Sequence, residues 1–117
     1  MCGRYTMSTP GETLARQYTL AEAPVVEPHY NIAPTQSVPV VRQSPTTGER
    51  RLGLLRWGLI PAWAKDPAIG ARAINARSET VGEKPAFRGA FRKRRCLVAA
   101  DGFYEWSGVP GHKVPYY

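Results

Sequence analysis

Cysteine stands second in this chain, in the opening run Met1-Cys2-Gly3-Arg4-Tyr5. An initiator methionine before a small residue is normally trimmed. The mature chain is therefore expected to begin at Cys2, with an α-amine and a thiol on adjacent carbons. No internal cysteine offers that 1,2-aminothiol. Both groups keep a reactive fraction near neutral pH. The amine can condense with an aldehyde to an imine, and the thiolate can then close onto the imine carbon to give a thiazolidine. As a nucleophile alone, the same thiol could attack an amide. A cysteine also reaches position 2 by chance, so the pair by itself does not choose between these chemistries.

Other residues could assist. Glu105 lies in Phe103-Tyr104-Glu105-Trp106, a carboxylate flanked by aromatics. Neighbours that exclude water would favour its neutral form and suit it to proton transfer; a strand glutamate facing water is the plain alternative. Asn75 cannot titrate, but its amide offers two donors and an acceptor. Arg4, Arg72 and Arg77 sit beside unusual sequence and are candidates for ligand contact. The run of Arg88, Arg92, Lys93, Arg94 and Arg95 reads instead as a solvated helix end. Trp63 and Pro34 fall in loops, where an apolar side chain suggests either stacking on a nucleic-acid base or core packing. Trp57 and Trp106 read as core. The only cysteines are Cys2 and Cys96. They give no disulfide framework and no metal-ligand spacing, and neither a metal nor an organic cofactor is indicated. Cys96, in the apolar run Cys96-Leu97-Val98-Ala99-Ala100, reads as a buried strand thiol.

The elements that must position these groups are short. Thr9-Pro10-Gly11-Glu12 is a helix start in which Thr9 caps and Glu12 completes a capping box. Leu14 and Tyr18 then share a face of a helix to about Tyr18. Residues Tyr30 to Thr35 read as a loop. Val38 to Gln43 and Arg51 to Leu59 read as a hairpin across the turn-rich Ser44 to Gly48, with Pro39 pointing to an edge or an early strand position. Pro61 to Pro67 is a second loop. Ala71 to Thr80 follows no clear period. Pro85 to Lys93 predicts a helix with Phe87 and Phe91 on one face. Arg95 to Ala100, Phe103 to Trp106 and Val114 to Tyr117 predict strands, the last two joined by a loop over Ser107 to Gly111. A strand running to Tyr117 with no polar tail would leave an unpaired edge, so the 117 residues are expected to be the N-terminal part of a larger single domain.

Composition sets the outer limits. The chain is long enough for one domain at most. Its 43% hydrophobic and 21% charged residues fit a globular protein. No apolar run approaches the roughly 20 residues that cross a bilayer, and no signal pattern opens the chain, so a cytoplasmic protein without a membrane partner is expected. The formal charge of +7 favours a polyanionic partner without specifying one.

Five segments in order resemble the SOS response-associated peptidase (SRAP) family. They are Met1-Cys2-Gly3-Arg4-Tyr5, Tyr30 to Pro34, Trp57-Gly58-Leu59-Ile60-Pro61-Ala62-Trp63, Ile74 to Thr80, and Arg95 to Trp106. The resemblance spans nearly all of the chain but only the front part of the family domain. It implies an α+β fold with mainly antiparallel strands in a barrel-like sheet and a few short helices. It implies a DNA-repair protein that recognises abasic sites in single-stranded DNA and captures them through the terminal cysteine, whose electrophile is the ring-opened sugar aldehyde. The adduct would shield the lesion from strand cleavage. The family's older label of thiol autopeptidase fits removal of Met1. Carried onto this sequence, the resemblance makes Cys2 the nucleophile, Glu105 the acid and base, and Asn75 the group that positions the Cys2 amine and the sugar. Arg4 and Arg77 would hold phosphates beside the lesion, with Trp63 and Pro34 splaying the strand. The protein would act as a monomer, associated with the nucleoid when bound to DNA. One departure is plain: the family's later histidine motif is absent, and His29 and His112 stand in other contexts. That absence places stable capture and turnover in question.

Two other classes compete. N-terminal-nucleophile glutamine amidotransferases also begin Met-Cys-Gly, but they continue with an apolar strand, which Arg4, Thr6, Ser8 and Thr9 interrupt here. A non-enzymatic single-strand-binding module needs only basic charge and loop aromatics. An inactive, truncated copy is the remaining alternative.

Overall fold

The apolar and β-branched residues pair into two antiparallel sheets. The computed structural model describes residues 2–117; Met1, and with it the expected trimming, lies outside the described residues. Strand β1 (Arg4–Met7) buries Tyr5, Thr6 and Met7. Helix α1 (Gly11–Tyr18) follows, then β2 (His29–Ile32), β3 (Ser37–Gln43) and β4 (Arg50–Arg56). A 3-10 helix (Pro67–Arg72), α2 (Arg88–Lys93), β5 (Leu97–Val98), β6 (Gly102–Ser107) and β7 (Val114–Tyr116) complete the order. One sheet runs β2-β1-β6-β7 and the other β4-β3-β5. Both are open, and no closed barrel forms among the described residues.

A single core joins the sheets. Tyr5 and Met7 of β1, Leu14 of α1, Ile32 of β2, Val38 and Val40 of β3, and Ala99 bury together, with Tyr18, Val26, Leu52 and Trp57 packed around them. The expected hairpin is β3–β4, in register from Ser37↔Arg56 to Gln43↔Arg50. Pro39 is tolerated in this central strand because β5 pairs only with Val40 and Val41, so no ladder bond is asked of its nitrogen.

Several expectations are corrected. The stretch around Tyr30 and Asn31 is strand β2, not loop: it pairs with β1 through Tyr5↔Ile32 and Met7↔His29. Neighbouring strands override the turn preference of asparagine. The capping box does not form. Pro10 stands at the cap position without a side-chain cap bond, and Thr9 Oγ1 instead donates to Asp101 Oδ1. The strand expected over Arg95 to Ala100 shrinks to Leu97–Val98. Cys96 is exposed rather than buried, because it precedes that short strand at the end of a basic, solvated segment. Trp106 is 44% exposed and is not core. Leu54, Leu97, Val98, Val114 and Tyr116 are each more than half exposed as well, so both sheets carry uncovered apolar residues.

Asp101 fastens the β1–α1 link to the start of β6. Its carboxylate accepts from the Ser8 backbone N–H, from Ser8 Oγ at 2.7 Å and from Thr9 Oγ1, while its own N–H donates to Thr6 O at 2.8 Å. Partial desolvation pushes this carboxyl up, but the hydrogen bonds from Thr9 and Ser8 outweigh it and hold the group below its ordinary value. A depressed folded value means that stability is present above the unfolded carboxylate range of about 4 and is lost as pH falls through the folded value. Asp101→Ala should lower stability at neutral pH by about 1 kcal/mol, a figure discounted for solvent exposure. In urea unfolding followed from pH 7 downward, the gap between wild type and variant should close below about pH 4. A constant gap would count against the clamp.

Candidate functional site

Cys2 precedes β1 directly. It is half-buried and packs against the core cluster. Its backbone carbonyl accepts from Asn75 Nδ2 at 2.8 Å, a bond across 73 positions of sequence. That bond requires the coil after the 3-10 helix to lie against the chain start, and three contacts put it there. Gly58 adopts φ +128°, and a Cβ on it would collide with the Gly70 carbonyl, so only glycine allows the two backbones to pass so closely. The Leu59 N–H donates to Ala73 O at 3.0 Å. The Trp57 indole Nε1 donates to Ile74 O at 2.8 Å. Trp57 then meets the Tyr5 ring edge-on, with centroids 5.5 Å apart. Cys2, Asn75, Ile74, Trp57 and Tyr5 are thus linked in one chain of contacts.

Glu105 enters through sheet register. Strand β6 pairs with β1 as Tyr5↔Phe103 and Arg4↔Tyr104. Directly opposed residues share a face, and alternate residues on a strand return to it. Glu105, half-buried, therefore lies on the Tyr5 face of the sheet, at the end of β6 toward which the antiparallel register carries Gly3 and Cys2. The Tyr5 phenol is pushed up to about 12, first by burial and second by the negative charge of a Cys2 thiolate.

The remaining predicted residues are more dispersed. Arg4 is half-buried on the opposite sheet face, where its Nη1 donates to Asn31 Oδ1 at 2.8 Å. Pro34 is half-buried in the turn before β3, and that turn is tied to Trp57 by a bond from Thr35 N to Trp57 O of 2.9 Å. Trp63 projects from the Pro61–Ala64 turn and is 61% exposed. Arg77 is exposed two residues beyond Asn75. The structure therefore gathers Cys2 and Asn75, brings Glu105 alongside by register, and leaves the four DNA-contact candidates around the edge. Sequence reasoning missed three supports: Tyr5, the Trp57 N–H and Asn31. A partly buried tryptophan whose N–H must find an acceptor was the available signal for Trp57. Among the described residues, no cluster of three or more His, Cys, Asp or Glu could hold a metal ion. No helix is long and apolar enough to cross a membrane.

Comparison with known proteins places this geometry. A family profile described as SOS response associated peptidase (SRAP) matches residues 1–117. The chain is 44% identical over 119 aligned residues to the abasic site processing protein YoqW of Bacillus subtilis, covering 98% of this chain and 52% of the relative. It is 38% identical to the abasic site processing protein HMCES of Xenopus tropicalis, covering 78% of this chain and 30% of that protein. A crystal structure of a Bacteroides thetaiotaomicron protein superposes with a TM-score of 0.79 at 26% identity, over 99% of this chain and 53% of that one. The chain spans about half the length of the Bacillus relatives it matches.

The Tyr5 shift carries a sign that can be checked. A folded value above the unfolded one gives stability that is intact below about pH 10 and is lost as pH rises toward about 12. Phenolate absorbance should show a tyrosine titrating toward about pH 12, and Tyr5→Phe should remove that step. The same variant should flatten the loss of stability over that window. An unchanged late titration in Tyr5→Phe would show that another tyrosine is responsible.

Proposed function

From the premise that the chain belongs to the SOS response associated peptidase (SRAP) family, matched over its whole sequence, we propose that it processes abasic sites in single-stranded DNA through covalent capture at Cys2. The observation that most supports this reading is the Asn75 amide on the Cys2 carbonyl at 2.8 Å, which pins the chain start in one geometry. A terminal residue is ordinarily among the most mobile, and a fixed nucleophile gains much of its rate from orientation.

In this reading Met1 is removed, and the freed Cys2 amine adds to the aldehyde of the ring-opened sugar. The carbinolamine loses water to give an imine. The thiolate then bonds to the imine carbon, the carbon–nitrogen π pair moves to nitrogen, and nitrogen takes up a proton. Aldehyde and aminothiol thus become thiazolidine and one water. Glu105 supplies and receives the protons of the carbinolamine and imine steps, and Asn75 orients Cys2 against the sugar. Exposed Arg77 and the unused donors of Arg4 hold phosphates on either side. Trp63, with Pro34 at the neighbouring turn, stacks on a base and opens the strand. Residues 1–117 serve as the N-terminal part of one domain whose sheets curl toward a barrel, which suits the half-length match to relatives and the apolar residues left uncovered on both sheets. The protein works as a cytoplasmic monomer that joins the nucleoid on damaged DNA.

Intact mass spectrometry tests the central step. Purified protein should lack Met1 and should gain the mass of an abasic single-stranded oligonucleotide, minus water, in a product that survives denaturation. Cys2→Ala should abolish the product, and Glu105→Gln should slow its formation about 100-fold. Ammonia release from glutamine with no DNA adduct would instead favour amide hydrolysis. Binding without a lesion preference or a covalent product would reduce the protein to a single-strand-binding module. For the non-covalent step, Arg77→Ala should lower the slope of log K against log salt by about 0.7, the contribution of one phosphate contact on a single strand; an unaltered slope removes Arg77 from the interface.

A further inference from the structure

The basic run that ends α2 reads in sequence as a solvated helix end. The favourable placement of cations at a helix C-terminus accounts for Arg92 and Lys93. It does not account for what faces them. Arg50 of β4, distant in sequence, lines the same surface groove as Arg92, Lys93 and Arg95. Strand register explains the meeting. Gln43 pairs with Arg50 and Val41 with Leu97, so these four share one face of the β4-β3-β5 sheet, and all four line the groove. Val38 and Val40 alternate onto the other face, in the core cluster that Cys2 touches. The groove therefore lies on the back of the sheet, away from the Cys2–Asn75 contact. None of Arg4, Pro34, Trp63 and Arg77 lines it.

Cations line both sides of this groove and no carboxylate does. Among the described residues, the side chains of Arg92, Lys93 and Arg95 make no hydrogen bond or ion pair. Arg95 rests over the Phe91 ring, 5.9 Å from its centroid. Arg50 donates from Nη1 to Tyr18 O at 3.2 Å, which leaves its other donors unused. Like charges gathered without a counter-charge repel one another. A guanidinium presents a fork that matches phosphate oxygens. An acidic peptide would bring separate carboxylates on flexible side chains. A nucleic-acid strand brings phosphates in a continuous line, which suits an open groove with cations on both walls. We propose that this groove is a second nucleic-acid contact, holding backbone phosphates of single-stranded DNA outside the capture site. Arg92, Lys93 and Arg95 hold the strand from the α2 side and Arg50 from the hairpin. The identity of the strand rests on the proposed function; the phosphate chemistry rests on the groove alone.

The test uses Cys2→Ala, which cannot form the adduct, and an undamaged oligothymidylate, so it stands apart from the covalent step. Cys96 lines the groove and is exposed. In this background it is the sole thiol and reports on occupancy. Saturating oligothymidylate should slow its alkylation by iodoacetamide about tenfold, because access to the thiol is blocked. Arg92→Ala combined with Lys93→Ala removes two exposed side chains. The pair should lower the slope of log K against log salt by about 1.4, the contribution of two phosphate contacts on a single strand. An unaltered slope would overturn the proposal, as would alkylation indifferent to the oligonucleotide. Equal protection of Cys96 by polyglutamate at the same charge concentration would also overturn it, because an acidic polypeptide would then be the occupant. Groove-dependent binding in a wild type that never captures abasic DNA would refute the proposed function and leave the groove standing. Capture by the wild type, with an unaltered slope in the double variant, would do the reverse.

Discussion

The hydrogen bond from the Asn75 amide to the Cys2 carbonyl, 2.8 Å long, is the constraint on which the site depends. Chain starts have few covalent or ladder restraints, and β1 pairs only from Arg4 onward. Without Asn75, Cys2 would be held only by its packing against the core and by the thiol's 3.5 Å bond to the nearby Arg4 carbonyl. The bond in turn depends on a coil with no ladder of its own. That coil is fixed by the Gly58–Gly70 backbone approach, by Leu59 N to Ala73 O, and by the Trp57 indole on Ile74 O. A side chain at Gly58 would push the 3-10 helix away and move Asn75 with it. The position of Cys2 is therefore set by close packing more than fifty residues downstream.

The β1–β6 pair divides this architecture into two faces. Tyr5 and Glu105 share the face that meets Trp57. The other face carries Arg4, Tyr104 and Thr6, where the Tyr117 hydroxyl shares a 2.8 Å hydrogen bond with Thr6 Oγ1 and Tyr104 donates to Tyr30 O. Gly102 leaves room there, since a Cβ on it would strike the Tyr117 ring. Polar contacts on this second face and the Asp101 clamp hold the β1–β6 register. A slip of one residue would carry Glu105 to the wrong side of the sheet.

Much of this was legible in the sequence. Alternation and β-branching gave the β3–β4 hairpin, Leu14 and Tyr18 gave the buried face of α1, and five ordered motifs gave the family. The misreadings have a common cause, in that local preference was taken where a distant partner decides. Asn31 looked like a turn residue, yet β1 recruits it into β2. Thr9 looked like a cap, yet Asp101, 92 positions away, takes its hydroxyl. Cys96 and Trp106 looked buried by composition, yet β5 is too short and β6 too open to cover them. The Cys2–Asn75 contact was expected only by resemblance, because no local pattern links a terminal cysteine to a coil asparagine. The chain of contacts through Trp57 and Tyr5 is invisible without the fold.

Tyr5 then poses a question of energetics. Its ring would serve the core and the Trp57 edge contact equally well as phenylalanine. The hydroxyl adds a desolvation cost on the order of 1–3 kcal/mol when left without a partner. The phenol is pushed up to about 12, so its surroundings disfavour the ionised form and at neutral pH it remains a donor. A permanent donor inside an apolar cluster is of no use to packing. The hydroxyl is therefore a cost that the resting core carries, offset by the packing of its ring against Trp57 and the cluster around it.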